Sequence, residues 1–185
     1  MNKPLQILIV EDDEVTWMAY KRMFTTWNAD VNLVHGKTIA QSIEYFSNVR
    51  FDAVVLDYQL PDGDAFEILP HISNVPIIFV SGMEDISIAV KAIKQGAQDY
   101  LVKDNHNNFV ETLPFIVEKA IRNHQTESDL KKTERQYSDL FENSNDMIQS
   151  AKSECKFLHV NPAWLKTTDY SREEVDGLHF LDVIQ

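Results

Sequence analysis

Asp57 closes an unbroken apolar run, Ala53, Val54, Val55 and Leu56, and is followed at once by Tyr58, Gln59, Leu60, Pro61, Asp62 and Gly63. A run of this kind reads as a strand buried on both faces. A carboxylate at its exit stands where open α/β sheets gather their ligands, outside the carboxyl ends of the strands. Other strand-like runs end in reactive groups too. Leu5 to Val10 leads into Glu11, Asp12, Asp13 and Glu14, Pro76 to Val80 closes at Ser81, and Tyr100 to Val102 ends at Lys103. Acids in a first helical turn favour the helix dipole, which explains Glu14 and Asp13 but not all four. Carboxylates drawn together raise one another's pKa unless a cation intervenes. Magnesium takes one or two protein carboxylates and keeps several waters, so Asp12, Asp57 and Glu11 suit it. The set has no thiolate or imidazole, which argues against zinc. Lys103 supplies a point charge and Ser81 a hydroxyl donor, the partners that phosphoryl oxygens need. An ionised aspartate can then attack phosphorus to give an acyl phosphate. No glycine-rich phosphate cradle appears, so the donor is not expected to be a bound nucleotide.

The elements that must position these groups follow from periodicity. Val15, Met18, Ala19, Met23 and Phe24 have helical spacing, Val31 to Val34 reads as a second strand, and Ile39, Ala40, Ile43 and Phe46 mark a second helix. Ala65, Phe66, Ile68, Leu69 and Ile72 predict a third helix ending near Ser73 and Asn74. Ile86, Ala89, Val90 and Ile93 predict a fourth, stopped by Gly96 in a position typical of a helix C-terminus. Strands alternating with helices specify a doubly wound α/β fold, a five-stranded parallel sheet with right-handed crossovers. Every strand of such a sheet points the same way, so Glu11, Asp12, Asp57, Ser81 and Lys103 should emerge at one edge.

The chain has 185 residues, 44% of them apolar, enough for one ordinary domain and part of another. A formal net charge of -12 disfavours nucleic acid or an anionic membrane as partner of the surface as a whole. No apolar stretch approaches the roughly 20 residues a membrane span requires. Lys3 is followed directly by a strand-like run rather than by the apolar core of a secretory signal. The one cysteine, Cys155, allows no internal disulfide, so a cytoplasmic location is expected.

From about residue 3 to 124 the chain closely resembles the receiver domain of two-component response regulators. The resemblance is carried by Ile7 to Val10 with Glu11, Asp12 and Asp13, by Val54 to Asp57 with Leu60 and Pro61, by Pro76 to Ser81, and by Gly96, Ala97 and Asp99 to Lys103. It implies the flavodoxin-like receiver fold. It also implies that Asp57 accepts phosphate from a histidine kinase or a phosphotransfer protein, so that the chain is a phosphoacceptor catalysing its own modification and not an enzyme with turnover. Glu11, Asp12, Asp57 and the backbone carbonyl of Gln59 would hold Mg2+. Ser81 and Lys103 would contact the phosphoryl group, and Tyr100 would rotate inward with Ser81 on activation. Two positions depart from the family: Asp104 follows the lysine where proline, often after a cis bond, is usual, and Ala65 stands where glycine is frequent. A cis bond before a non-proline residue costs about 2.5 to 4 kcal/mol, which leaves the placement of Lys103 as the point to check.

Beyond the receiver, Asp104 to Asn108 is polar and loop-like, and Pro114 predicts a helix start between Asn108 and Leu113. Leu113, Ile116, Val117, Ala120 and Ile121 form its apolar face. No glycine or proline interrupts the residues after His124, so the helix is expected to continue as a connector over 125–142. Ile116, Ala120, Asn123, Glu127, Leu130, Glu134, Tyr137 and Phe141 give a weak heptad seam for a parallel homodimer. Residues 143–185 are similar to the start of a PAS sensor domain. The similarity rests on Leu140 to Ser144 with Asp146, on Phe157, Leu158 and Val160 to Trp164, and on Tyr170, Ser171, Glu174, Val175 and Gly177, with Asp169 where the family has glycine. Ser171 and Glu174 also make a capping box. So short a piece of that domain predicts a longer sensor protein, compatible with a histidine kinase region downstream, and a last segment that is disordered, swapped or packed on a neighbour. Cys155 precedes an early strand, unlike the flavin-reactive cysteine of photosensing PAS domains, and His159 reads as a strand residue rather than a haem ligand.

Two competing functions remain at this level. A receiver-like docking module that is never phosphorylated follows if Lys103 is misplaced. A phosphohydrolase of the haloacid dehalogenase type also uses a strand-end aspartate, but wants a second one where Gln59 stands.

Overall fold

The computed structural model describes residues 3–27, 30–82, 86–104 and 108–183. The loop expected around Asp104 to Asn108 therefore lies in part, at 105–107, outside the described residues. The chain divides into two compact units, Met1–Thr126 and Glu127–Gln185.

The first unit is built on five parallel strands in the order β2-β1-β3-β6-β7. They are β1 (Leu5–Val10), β2 (Val31–Gly36), β3 (Ala53–Asp57), β6 (Ile77–Ser81) and β7 (Asp99–Val102). Between β3 and β6 lie two short antiparallel strands, β4 (Gln59–Leu60) and β5 (Gly63–Asp64), which periodicity did not reveal. The helices are α1 (Glu14–Trp27), α2 (Ile39–Asn48), a 3-10 helix (Ala65–His71), α3 (Ile86–Lys94) and α4 (Asn108–Asn143). Side chains alternate faces along a strand, and both faces here are apolar. Leu8, Val10, Val54, Leu56, Ile77 and Phe79 meet Ile39 of α2, Phe66 and Ile68 of the 3-10 helix, and Ile88 and Ala92 of α3. Ile7, Ile9, Ala53, Val55, Ile78 and Val80 meet Tyr20 and Phe24 of α1 and Leu113, Val117 and Ala120 of α4. This two-sided burial is why the strands read as continuous apolar runs.

Three expectations need correction. The third helix is 3-10 and ends at His71 rather than near Ser73, with Pro70, which has no N–H to donate, in its last turn. It closes with Ile72 N–H to the Leu69 carbonyl at 3.1 Å. Second, α4 starts at Asn108, inside the expected range, but runs unbroken for 36 residues with Pro114 as its seventh rather than in its first turn. Third, the expected heptad seam is not a free surface along its whole length. Ile116 and Ala120 pack into the core beneath the sheet and Phe141 is buried, so those seam positions are already occupied. In the second unit Leu130 and Tyr137 of that seam stay exposed, as does Leu140 outside it.

The second unit contains β8 (Gln149–Ala151) and β9 (Phe157–Val160), an antiparallel hairpin, then α5 (Pro162–Thr168), α6 (Arg172–Val175) and α7 (Phe180–Val183). The expectation of disorder here is not met among the described residues, because Phe157, Val160, Trp164 and Val175 find cover in one another and in Leu165, Tyr170 and Phe180. Asn161, fully buried, holds the hairpin to α5. Its Oδ1 accepts from Ile148 N at 2.9 Å and Trp164 N at 3.0 Å, and its Nδ2 donates to the Asp146 carbonyl at 2.9 Å. Ser171 and Glu174 form the capping box of α6. Asp169 ends α5 with φ 62, a left-handed conformation that aspartate tolerates better than most residues, so it can stand in for glycine. Cys155 is exposed in the turn before β9.

Candidate functional site

Strand ends of the first unit deliver the site. Glu11 leaves β1 with its N–H on the Gly36 carbonyl at 2.9 Å, its own carbonyl 2.8 Å from His35 Nε2, and its side chain almost wholly buried. His35 is itself stacked on Trp17, with ring centroids 4.2 Å apart. Asp57 ends β3, where the next residue, Tyr58, donates its N–H to the Val80 carbonyl at 3.0 Å. Ser81 is the buried last residue of β6 and pairs with Val102, and its carbonyl accepts the Lys103 N–H at 2.8 Å.

That bond turns Lys103 inward. Its ammonium donates to Asp57 Oδ2 at 2.5 Å and to Glu11 Oε2 at 2.8 Å. No peptide bond among the described residues is cis, so the Lys103–Asp104 bond is trans and the lysine reaches the acids without it. Carboxylate oxygens of Glu11, Asp12 and Asp57 all lie within 4.8 Å of one another. The four consecutive acids thus divide by role. Glu11 and Asp12 face the cluster, Asp13 accepts from Thr16 N at 2.8 Å and Thr16 Oγ1 at 2.6 Å at the start of α1, and Glu14 pairs with Lys37 on the surface. Of the other expected site residues, Gln59 lies in β4 with an exposed side chain, and Tyr100 is half-buried in β7 against the core face that holds Phe79. Sequence reasoning missed His35, which sits outside any motif, and Tyr20, whose buried hydroxyl has no hydrogen-bond partner among the described residues.

The electrostatics follow from burial. Desolvation, opposed by the Lys103 hydrogen bond and reinforced by the Asp57 charge, pushes the Glu11 carboxyl up to about 7. Burial works against the Lys103 ammonium, but its hydrogen bonds to Asp57 and Glu11 outweigh this and raise its pKa. Burial, with the charges of Glu11 and Asp57, raises the Tyr20 phenol. Because folded Glu11 holds its proton more tightly than the unfolded chain does, the stability it contributes falls as pH rises from about 4.5 to about 7. The free energy of unfolding relative to Glu11→Gln is therefore expected to fall by on the order of 3 kcal/mol across that window, as read from urea titrations at several pH values without added metal.

The donor set fits a hard cation. It is all oxygen, and three carboxylates against one ammonium leave two negative charges for one divalent ion to neutralise. One carboxylate oxygen each of Glu11, Asp12 and Asp57 would hold such an ion, which takes one or two protein carboxylates and keeps several waters.

The family model for the response regulator receiver domain matches residues 7–113, more than half of the chain. The chain belongs to the response regulator receiver family. Among curated relatives, this receiver chain is 30% identical over 126 residues to the two-component response regulator ARR2 of Arabidopsis thaliana, covering 66% of this chain and 18% of ARR2. It is 34% identical over 107 residues to the response regulator protein GraR of Staphylococcus epidermidis, covering 56% of this chain and 47% of GraR. It thus spans about half or less of those relatives. The solved CheY-like receiver domain protein from Methanospirillum hungatei superposes with a TM-score of 0.58 at 24% identity, covering 66% of this chain and 98% of that one, and so shares the fold. The five-stranded parallel sheet with its C-terminal helical extension is the flavodoxin-like receiver fold. No described helix is long and apolar enough to cross a membrane.

Proposed function

We propose that this receiver is a phosphorelay switch in which Asp57 takes a phosphoryl group from the phosphohistidine of a histidine kinase or phosphotransfer protein. The observation that carries this reading is Lys103 Nζ, bound at once to Asp57 and Glu11 from a loop far away in sequence. A carboxylate oxygen of Asp57 attacks phosphorus, the P–N bond to the donor imidazole breaks, and the imidazole nitrogen keeps the electron pair. Lys103 stabilises charge on the transferring oxygens, and Ser81 supplies a hydroxyl donor at the adjacent strand end. Glu11, Asp12, Asp57 and the Gln59 carbonyl would hold Mg2+, which supplies charge neutralisation when bound. Tyr100, three residues before Lys103 on β7, would answer phosphorylation together with Ser81.

Residues 1–124 act as the receiver, 125–142 as the helical connector and 143–185 as a PAS-like segment, in a cytoplasmic protein whose output lies with the PAS region. Dimerisation is assigned to the exposed stripe Leu130, Thr133, Tyr137 and Leu140, whose three-four spacing suits a helical seam. Light scattering should give twice the chain mass, and Leu130→Glu with Leu140→Glu should return it to that of one chain. A single-chain mass at high concentration would remove this assignment.

The phosphoacceptor reading is tested by incubating the protein with Mg2+ and a small acyl phosphate, then weighing it intact and mapping the modified peptide. A phosphoryl adduct on the peptide containing Asp57, lost when Mg2+ is chelated, is expected. No adduct would favour a docking module, and steady phosphate release without one a hydrolase.

A further inference from the structure

The loop that follows Asp57 is fastened to the first turn of α2 by a side chain to which the receiver reading gives no task. Asp62 Oδ1 accepts from Ile39 N at 2.9 Å and Oδ2 from Ala40 N at 3.1 Å. Thr38 Oγ1 accepts from Gln41 N at 3.1 Å. Three of the N–H groups that an α-helix leaves without internal partners at its start are thus filled here, two of them by a carboxylate from another loop. A negative charge is favoured at that position by the helix dipole. Burial opposes the Asp62 charge, but the bonds from Ile39 and Ala40 outweigh it and hold its pKa below the ordinary value.

The same turn is pressed against α2 at Gly63. Its φ is +153°, and a Cβ there would meet Glu67 Oε1 at 2.4 Å and Ile39 Cδ1 at 3.0 Å. On the inner side, Gln59 pairs with Asp64 and Leu60 with Gly63, and Leu60 is buried. Residues 57 to 62 therefore form a short span with its first residue held by the sheet and its last by α2. Gln59, the residue whose carbonyl is to complete the cation site, lies between these anchors.

We propose that Asp62 is a positioning residue for the divalent-cation site: by clamping the β4–β5 turn to α2 it fixes the backbone of Gln59 in the orientation the cation requires. This rests on the Mg2+ site proposed above. A loop that samples other orientations reduces the apparent affinity by the fraction of time it is competent. Losing one charged cap is worth about a fivefold change in such an equilibrium.

The test is a calorimetric titration of Mg2+ alone into the full chain and three variants, Asp62→Ala, Asp62→Asn and Thr38→Ala, with thermal unfolding and hydrogen exchange at Ile39 and Ala40 recorded on each. Asp62→Ala is expected to weaken Mg2+ binding about fivefold and speed exchange at both amides, and Asp62→Asn, which keeps one acceptor oxygen, should recover part of the loss. Thr38→Ala removes a cap from the same helix without touching the loop, so it should lower the unfolding temperature and leave Mg2+ affinity unchanged. Equal Mg2+ affinity in the unaltered protein and Asp62→Ala would reduce Asp62 to a helix cap and overturn the proposal, as would equal weakening in Asp62→Ala and Thr38→Ala. Failure of the unaltered protein to bind Mg2+ would overturn the cation site itself and the proposal with it, and the exchange rates would still report on the clamp.

Discussion

Replacing Asp57 with asparagine is expected to abolish the phosphoryl adduct entirely while leaving the fold in place. Asparagine keeps the shape of the side chain but has no ionised oxygen to attack phosphorus. The backbone around it does not depend on the carboxylate, since β3 is held by its ladders to β1 and β6 and by the Tyr58 N–H on the Val80 carbonyl. Two electrostatic effects oppose each other. The variant loses the attraction of Lys103 for Asp57, and it also loses the repulsion of Asp57 on the buried Glu11. Stability should therefore stay within about 1 kcal/mol of the unaltered protein, as checked by urea unfolding. An adduct of unchanged yield in Asp57→Asn would mean that another side chain accepts the group.

Lys103→Met should slow phosphorylation by roughly a hundredfold or more, because a preorganised donor aimed at developing charge is worth that much when removed. The same change should act on the resting protein with the opposite sign for metal and for stability. Among the described residues, Lys103 is the cation paired with both Glu11 and Asp57. Without it two carboxylates face each other, one of them almost wholly buried. At pH 8 the metal-free variant should be less stable by about 2 kcal/mol, a figure below that of a fully buried pair because Lys103 is 19% exposed. Mg2+ should bind more tightly, since no ammonium competes for the acids. Rapid phosphorylation with the lysine removed would show that the charge at the site comes from elsewhere.

Much of the architecture was legible from the chain because both faces of the sheet are buried. Ile7 to Val10, Val54 to Leu56 and Ile77 to Val80 are buried at every position, and their shortness and β-branched content favour strand over buried helix. The helices α1, α2 and α3 announced themselves by spacing, and Gly96, with φ +100°, by its place just past the end of α3, although in α3 the face so marked is wet: Ile86, Val90 and Ile93 are exposed and Ile88 and Ala92 meet the core. Elements stabilised by only a few local bonds were not legible. The β4–β5 pair involves two residues a side, and the 3-10 helix at Ala65 is only seven residues long.

What the chain by itself determined was the order of strands and helices and the chemical types at the strand ends, since parallel connections allow those ends only one edge. Which of the four acids face the cluster, the inward turn of Lys103 without a cis bond, the contact of His35 with the Glu11 carbonyl and the grip of Asp62 on α2 were decided only by the tertiary structure. The physical reason is the same in each case. Periodicity reports the type of an element, whereas a hydrogen bond between loops depends on how far β1, β2, β3 and β6 bring their ends together. No spacing within one segment carries that distance.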